Sequence, residues 1–321
     1  MSLAFPGFVF PHGLGFISLF ALIPVFMVIR NTTWPWVGFY GFLYGFLFYI
    51  FFNWWLAAFH PGAIIIAPFI KGMEMVLLFL ALKASDRFFG RKAYVVQALI
   101  WVAYAYLAES WFAGYPYGTI CYALYKYRPM IQIADITGIA GIIFLQVLPQ
   151  AFLGSWLIDK VRGESEPFLK CLRNNVIELT VYAAIAVASL VYGFIKTSEW
   201  DDKEPDRYWK VAAVQHNHDS WKGGVTTYRK NFNNLRRYTL QAMTEEPDIV
   251  IWSETAFVPS IDWNTEFSYE GNQEMRKLVK EFVDFGNELG TPLLTGNADG
   301  EAKVPGGPAV LDDRNHPGPE K

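Results

Sequence analysis

Residues 34–59 read WPWVGFYGFLYGFLFYIFFNWWLAAF, an almost entirely apolar stretch of 26 residues. It contains no charged side chain, and aromatic residues crowd both of its ends. About 20 mostly apolar residues are enough for a helix to cross the hydrocarbon core of a bilayer. Aromatic-rich ends are typical of helices that meet the membrane–water interface. The stretch therefore predicts a transmembrane helix.

Further apolar segments of this kind fill the first 200 residues. The whole chain of 321 residues is 53% apolar and only 18% charged, whereas soluble domains are about one quarter charged. Its net charge of −3 gives no reason to expect a nucleic-acid partner. The sequence predicts a helical membrane bundle of about six spans: Gly13–Ile29, Trp34–Phe59, Gly62–Leu82, Ala93–Phe112, Ile133–Ile158 and Val176–Ile195.

Basic residues between the spans predict the orientation of the bundle. Nine of them fall in three alternate loops: Arg30, Lys83, Arg87, Arg91, Lys92, Lys160, Arg162, Lys170 and Arg173. The intervening segments hold two, Lys126 and Arg128. Because cytoplasmic loops are enriched in lysine and arginine, we expect the nine to lie in the cytoplasm. The polar C-terminal part would then lie on the outer face.

Two opposite charges fall inside the third predicted span. Lys71 and Glu74 are three residues apart, so a helix places them on one face, where they can neutralise each other. Charges within membrane helices are costly and often functional. The pair is therefore either a structural ion pair or part of a pathway for a polar substrate.

The chain beyond residue 198 has the composition of a soluble protein. A polar linker, residues 199–207, is followed by a strand that ends at Gln215 and by a helix over residues 222–245. IVIWS, residues 249–253, reads as a buried strand. A second helix over Asn272–Leu289 and a third strand in TPLLTGNADG complete the pattern. Strands that alternate with helices predict an α/β unit with a largely parallel sheet.

One carboxylate marks the candidate site of this unit. Glu254 follows the buried strand directly, within DIVIWSETAFVPS at residues 248–260. Functional side chains of open α/β sheets collect at the carboxyl ends of the strands. We expect Glu254 to rise into an apolar cleft, where burial would raise the pKa of its carboxyl group and suit it to proton transfer.

Several motifs, taken in order, resemble one known family. VAAVQHN, PDIVIWSETAFVP and LLTGNAD are similar to the opening of a nitrilase-type (carbon–nitrogen hydrolase) domain. LAFPGFVFPHGLGF, ESWFAGYPYGTICYAL and IADITGIAGIIFL resemble segments of the membrane half of bacterial apolipoprotein N-acyltransferases. The resemblance covers about residues 3–300. It implies an extracytoplasmic domain of the nitrilase-like αββα sandwich type that follows the membrane bundle.

The resemblance also implies a reaction. An acyl chain would move from a membrane phospholipid to an enzyme cysteine, and then to the α-amino group of the N-terminal diacylglyceryl-cysteine of an apolipoprotein. The partners implied are the phospholipid donor, the lipoprotein acceptor and the lipid bilayer. The implied location is the bacterial cytoplasmic (inner) membrane, with the C-terminal domain on the periplasmic face. No cofactor and no metal are implied.

The family's catalytic residues are a glutamate, a lysine and a cysteine. Glu254 occupies the position of the glutamate, which acts as general base for the thiol and then for the amine. The lysine would stabilise the oxyanion. Trp221 matches a tryptophan that lines the family's substrate pocket, although ordinary packing explains it equally well. Gln215, at the end of the first strand, is expected to be structural.

The sequence departs from the family pattern after residue 300. The lysine segment resembling HLVPFGE and the CYE nucleophile motif are not found, and neither Cys121 nor Cys171 lies in a matching context. Lys303 and Lys321 have no motif around them. We expect residues 301–321 to be a disordered or aberrant tail. We also expect the chain to be truncated at both ends and inactive when it acts alone.

The sequence thus predicts a membrane domain at 1–198, a linker at 199–207, the N-terminal part of a nitrilase-like domain at 208–300 and the tail. Three other interpretations remain open. The chain is a catalytically dead membrane protein that binds lipid or lipoprotein, a transporter that uses Lys71 and Glu74, or an amidase of a soluble substrate.

Overall fold

The structure is a computed structural model with side chains. It divides into two compact units, Met1–Glu204 and Pro205–Lys321, whose boundary falls within the linker predicted at residues 199–207. The predicted tail, residues 301–321, lies outside the described residues. The residues that the structure describes are 1–58, 61–110, 114–204, 206–217, 224–266 and 273–297.

The first unit is helical in its described residues. Short 3-10 turns precede, join or follow several of the helices, as at Gly15–Leu19 and Gly90–Lys92. The α-helices in chain order are α1 Ile23–Asn31, α2 Trp34–Phe52, α3 Ala63–Phe89, α4 Ala93–Ser110, α5 Arg128–Ile131, α6 Ala134–Val161, α7 Phe168–Asn174 and α8 Val176–Asp201.

Four stretches of the described residues are helical, long and apolar enough to cross a membrane. One of them, Ala63–Ser110, consists of α3 and α4, which separate at Gly90, where φ is 53°. The remaining three are Trp34–Phe52, Ala134–Val161 and Val176–Asp201. Five of the six predicted spans therefore coincide with long apolar helices: α2, α3, α4, α6 and α8.

The first predicted span, Gly13–Ile29, is not one continuous helix. A 3-10 turn at Gly15–Leu19 precedes α1, which has only 9 residues. Nine residues extend about 14 Å at 1.5 Å each, and a hydrocarbon core is about 30 Å thick. The prediction of a simple span was therefore wrong at this position, since the helix is too short to cross alone.

Buried side chains of α6 satisfy the backbone where this first segment breaks. Gln150 accepts a hydrogen bond from Leu22 N at 2.7 Å and donates one to Ser18 O at 3.0 Å. Gln146 donates to the Ser18 hydroxyl at 3.0 Å. Apolar surroundings supply no water for unpaired backbone groups. Gln150 therefore stabilises a break that would otherwise leave a backbone donor and a backbone acceptor unsatisfied, and Gln146 holds the Ser18 side chain beside it.

The second predicted span also ends earlier than expected. α2 stops at Phe52 rather than at Phe59; Asn53 is its C-terminal capping residue, and the 3-10 turn Trp54–Ala58 follows. The Asn53 side chain is fully buried, and its oxygen accepts a hydrogen bond from the Tyr115 hydroxyl at 2.7 Å. A polar side chain in a run of aromatic residues thus ends the helix.

Two glycines bring α2 close to α3. A Cβ atom on Gly41 would lie 2.8 Å from Met75 O, and one on Gly45 would lie 2.9 Å from Lys71 O. Small residues four apart allow membrane helices to pack backbone against backbone, where van der Waals contact replaces the hydrophobic effect. The two glycines therefore fix the pairing of these helices.

Ion pairs join three helix ends at one end of the bundle. The Arg30 guanidinium contacts both Asp159 oxygens, at 2.7 and 2.8 Å, and an Asp86 oxygen at 2.7 Å. Lys83 donates to the carbonyl groups of Ile29 and Arg30, at 2.8 and 3.1 Å. These are the last carbonyl groups of α1, which lack partners within the helix. The cluster therefore ties the ends of α1, α3 and α6 together.

Lys71 and Glu74 form an ion pair, which was one of the two alternatives predicted from the sequence; the other was a pathway for a polar substrate. The Lys71 ammonium lies 2.8 Å from the Glu74 carboxylate, and the Lys71 side chain is only 3% exposed. The Tyr104 hydroxyl donates to the same carboxylate at 3.3 Å. The rings of Tyr49 and Tyr115 lie 5.9 and 5.5 Å from the ammonium. These contacts favour the structural reading over a substrate pathway.

The second unit has a parallel three-stranded sheet in its described residues. The strands lie in the order β1-β2-β3, with Val211 opposite Ile249 and Val250 opposite Leu293. The elements in chain order are β1 Val211–Val214, α9 Gly224–Ala242, β2 Ile249–Trp252, α10 Ile261–Glu266, α11 Gln273–Glu288 and β3 Leu293–Leu294. The parallel α/β arrangement predicted from the sequence is confirmed.

The helices of this unit pack on one face of the sheet. Val250 and Trp252, two residues apart on β2, are buried against Phe232 of α9 and Phe282 of α11. The opposite face is open: Val211 is 49% exposed and Leu294 is 56% exposed. The described residues therefore form one layer of helices on one sheet, with an apolar face uncovered.

A hydroxyl from α8 satisfies a carbonyl that a proline frees in α6. Pro149 has no N–H, so Leu145 O lacks its usual helical partner. The Tyr182 hydroxyl donates to Leu145 O at 2.9 Å instead. We expect Tyr182→Phe to lower the free energy of unfolding in detergent micelles by about 1 kcal/mol.

A double-mutant cycle tests that assignment. Pro149→Ala restores an N–H for Leu145 O, so Tyr182→Phe is expected to cost little in the Pro149→Ala background. The exposed Tyr106 provides the control, and Tyr106→Phe is expected to leave the unfolding curve unchanged. An equal cost of Tyr182→Phe in both backgrounds would show that the hydroxyl acts in some other way.

Candidate active site

A tight turn at the carboxyl end of β2 carries Glu254. Ala256 N donates to Ser253 O at 3.1 Å, which closes the turn around Glu254 and Thr255. Thr255 has a φ of 56°, a left-handed conformation that is uncommon for a β-branched residue. Strained backbone of this kind clusters at functional sites. The turn therefore presents Glu254 in a conformation that the surrounding fold must enforce.

Asn297, just beyond β3, holds the loop that follows this turn. Its side-chain amide donates to Phe257 O at 3.0 Å and to Pro259 O at 2.9 Å. Its side-chain oxygen accepts from Ile261 N at 2.9 Å. One side chain thus joins the ends of two neighbouring strands and the start of α10.

Gly296 lies directly against the glutamate. A Cβ atom at this position would be 3.4 Å from Glu254 Cγ, which is ordinary van der Waals contact, so a larger side chain would cover one side of the carboxylate. Neither Gly296 nor Asn297 was predicted as a site residue from the sequence. Their position straight after a short apolar strand, in LLTGN, was the available signal, because strand ends are where such sheets place functional groups.

The two residues that follow β1 differ in their exposure to solvent. Gln215 is exposed, whereas His216 beside it is buried, and Asn217 turns the chain with a φ of 54°. The structural role expected for Gln215 stays a prediction. Trp221, the predicted substrate-pocket residue, lies outside the described residues, so its role stays a prediction too.

The apolar cleft expected around Glu254 is not formed by the described residues. Glu254 is exposed to solvent. Val250 and Trp252, which precede it, are buried under the helices, but the chain leaves that layer at Ser253. The sequence prediction failed here because burial of the strand does not extend to the turn that follows it.

Neither cysteine has the surroundings of a nucleophile. Both lie in the first unit, and Cys121 is buried at 3% exposure. Burial raises the pKa of the Cys121 thiol to about 12, with a further contribution from Glu109. Burial also raises the pKa of the Cys171 thiol, with Glu166 adding to the effect. Because the thiolate is the reactive form, both residues are held in the unreactive form near neutral pH.

The two units together define a class of protein: a multi-pass helical membrane protein that also carries a small parallel α/β unit. A family model for the N-terminal domain of apolipoprotein N-acyltransferase matches residues 1–152. Apolipoprotein N-acyltransferase 1 of Treponema denticola is 31% identical over 301 residues, which are 93% of this chain and 54% of the relative. The chain belongs to the apolipoprotein N-acyltransferase family.

Other relatives agree with this assignment. The protein named apolipoprotein N-acyltransferase 1 of Treponema pallidum is 32% identical over 307 residues, which are 94% of this chain and 56% of the relative. The apolipoprotein N-acyltransferase of Borreliella burgdorferi is 28% identical over 239 residues, covering 72% of this chain and 43% of the relative. The chain spans about half the length of the curated relatives it matches.

The raised pKa of Cys121 predicts slow alkylation. At pH 8 about one Cys121 thiol in ten thousand is ionised, whereas an unperturbed thiol is ionised to roughly a quarter. In a Cys171→Ser variant we expect iodoacetamide to react on the order of a thousandfold more slowly with folded than with unfolded protein. The folded rate is expected to rise tenfold per pH unit up to about pH 12. Equal folded and unfolded rates at pH 8 would contradict the assignment.

The Asn297 hydrogen bonds predict a local effect. Asn297→Ala removes three hydrogen bonds, each worth about 1 kcal/mol, so we expect much faster hydrogen exchange at the Ile261 amide. Asn287→Ala, at an exposed position on α11, is the control. Unchanged protection of the Ile261 amide in Asn297→Ala would show that the loop is held by other contacts.

Proposed function

We propose that this chain acts in the transfer of an acyl chain from a membrane phospholipid to the N-terminal diacylglyceryl-cysteine of apolipoproteins. The observation that carries the proposal is the match to two apolipoprotein N-acyltransferases over more than nine tenths of the chain. That match runs through both units. The strained turn that presents Glu254 at the carboxyl end of β2 supports the choice of this residue as the proton acceptor.

The proposed chemistry has two steps. In the first, Glu254 takes the proton of a thiol and the thiolate attacks the ester carbonyl of the phospholipid. The tetrahedral intermediate collapses to the thioester as the lysophospholipid alkoxide leaves and takes the proton from Glu254. In the second, Glu254 takes a proton from the lipoprotein amine as the amine attacks the thioester. The C–S bond breaks, and the leaving thiolate takes that proton back from Glu254, which regenerates the thiol. Since Cys121 is buried, Cys171 is half-buried and both thiols ionise poorly, the proposal assigns the thiol, and the lysine that stabilises the oxyanion, to residues that are not among these 321.

We further propose that the second unit is the N-terminal part of a nitrilase-like domain. The parallel sheet with its helices on one face supports this. In an αββα sandwich a second sheet would cover the opposite face, whose residues Val211 and Leu294 are half exposed. The same second layer would enclose the turn at Glu254, because that turn lies at the end of the central strand β2.

Both substrates are anchored in a bilayer, which fits a multi-pass protein. The three basic loops lie at one end of the first unit, joined by Arg30, Arg91 and Lys92 to acidic partners. By the positive-inside rule this end would face the cytoplasm. The proposed location is then the cytoplasmic (inner) membrane of a bacterium, with the second unit on the periplasmic face.

A non-catalytic role is the second candidate. The exposure of Glu254 and the unreactive environments of both thiols favour a protein that binds lipid or lipoprotein without turnover. The two candidates differ in one expected outcome. A non-catalytic protein would bind the diacylated lipopeptide but would form no triacylated product, even when the missing part of a relative is supplied.

Complementation of the purified chain tests the proposal. The 321-residue chain alone, incubated with phospholipid and a diacylated lipopeptide, is expected to give no triacylated product in a mass-spectrometric assay. Co-expression with the part of the Treponema denticola relative that lies outside the 54% matched by this chain is expected to restore product. Glu254→Gln should then lower the rate by at least about a hundredfold, because a positioned base contributes that much or more.

Glu288→Gln provides the matched control, since Glu288 is an exposed glutamate at the end of α11. It is expected to leave the complemented rate unchanged. Turnover by these 321 residues alone would overturn the assignment of the thiol to residues outside them. An unaffected rate in Glu254→Gln would remove Glu254 from the mechanism.

A further inference from the structure

Three loops meet at one end of the first unit and form a single surface. Arg91, after α3, bonds to Glu166, before α7, at 3.3 Å. Lys92 bonds to Glu178 at the start of α8 at 2.6 Å. The Arg30 cluster adds the ends of α1 and α6. We call this surface the basic end; its charged residues are Arg30, Lys83, Asp86, Arg87, Arg91, Lys92, Asp159, Lys160, Arg162, Glu164, Glu166, Lys170, Arg173 and Glu178.

The basic end carries an excess of positive charge. Nine of its charged side chains are basic and five are acidic. The acidic ones are used in ion pairs within the surface, chiefly with Arg30, Arg91 and Lys92. Arg87 and Arg173 are exposed and make no ion pair with any residue in the described part of the chain. The excess charge is therefore concentrated on side chains that are free to meet an external anion.

Large apolar side chains surround these cations. Phe88 is 79% exposed and directly follows Arg87, and Phe89 is 55% exposed. Leu169 is 80% exposed and lies four residues before Arg173, on the same face of α7. Because α7 packs Phe168 against Trp156 with ring centroids 4.7 Å apart, Leu169 is directed away from the bundle. Exposed apolar side chains rimmed by polar residues are typical of surfaces that bind a partner or a membrane.

We propose that the basic end binds the headgroups of anionic phospholipids. Apolar tips at Phe88, Phe89 and Leu169 enter the acyl boundary, while the long side chains of Arg87 and Arg173 reach the phosphate level. Charge complementarity selects the lipid, since a basic residue close to an anionic leaflet attracts it electrostatically. The other end of the unit lacks this excess. Its basic residues in the described part of the chain include Lys126, Arg128, Lys196 and Lys203, of which Arg128 is paired with Asp201 at 2.8 Å and Lys196 with Glu199 at 3.3 Å.

Lipid selectivity of the full chain tests the proposal. The chain is reconstituted in phosphatidylcholine bilayers, and electron paramagnetic resonance measures the association of spin-labelled phosphatidylglycerol relative to spin-labelled phosphatidylcholine. We expect a preference for phosphatidylglycerol that weakens with added salt. Arg87→Gln with Arg173→Gln should reduce the preference by up to about fivefold for each charge removed.

Two control variants separate charge from structure. Arg87→Lys with Arg173→Lys keeps both charges and should keep the preference, and Lys126→Gln at the other end should leave it unchanged. The absence of a preference in the parent chain, or its survival in the double glutamine variant, would overturn the proposal. Displacement of the labelled lipid by inorganic phosphate at constant ionic strength would also overturn it, because the surface would then be a site for free anions.

Discussion

Backbone hydrogen bonding in apolar surroundings is the constraint on which the first unit depends. Each interruption of a helix frees backbone groups that lipid cannot satisfy, and side chains from distant elements satisfy them. Gln150 bonds to Leu22 N at the start of α1. Lys83 bonds to the carbonyl groups at the end of α1, and Tyr182 bonds to the carbonyl that Pro149 frees. The short α1 is thus held at its two ends by α6 and α3, which explains how a helix too short to span belongs to the bundle.

Ion pairs add specificity rather than stability to this arrangement. Desolvation of two charges offsets most of their attraction, but removal of one partner leaves a costly unpaired charge. Arg30 contacts two carboxylates on different helices, so only one arrangement of α1, α3 and α6 satisfies all three groups. The Lys71–Glu74 pair acts within a single helix. Its contacts with tyrosines of α2 and α4 give those helices a defined rotation toward α3.

Elements whose position depends on local composition were predicted correctly from the sequence. Features that depend on contacts with distant residues were not. Apolar runs located α2, α3, α4, α6 and α8, and alternating patterns located the parallel strands. The break before α1 was missed because its partner, Gln150, lies 128 residues away from Leu22. Asn53 ended α2 within an aromatic run, because a side chain from a later loop, Tyr115, binds it. The apolar run before Glu254 predicted its place at the end of a strand. Its exposure depends on which other elements pack over the turn, and the residues near 254 do not indicate that.

The exposure of Glu254 and the open face of the sheet have one geometric cause. A turn at the end of a central strand lies at the margin of the layers on each side of the sheet, and the described residues supply only one of those layers. A carboxylate on that turn consequently meets water, as do Val211 and Leu294 on the uncovered face. General-base catalysis gains from the exclusion of water around the reacting groups. In the proposed mechanism the layer that covers Val211 and Leu294 must also be the layer that encloses Glu254, so folding of that layer and activation of the base are one event.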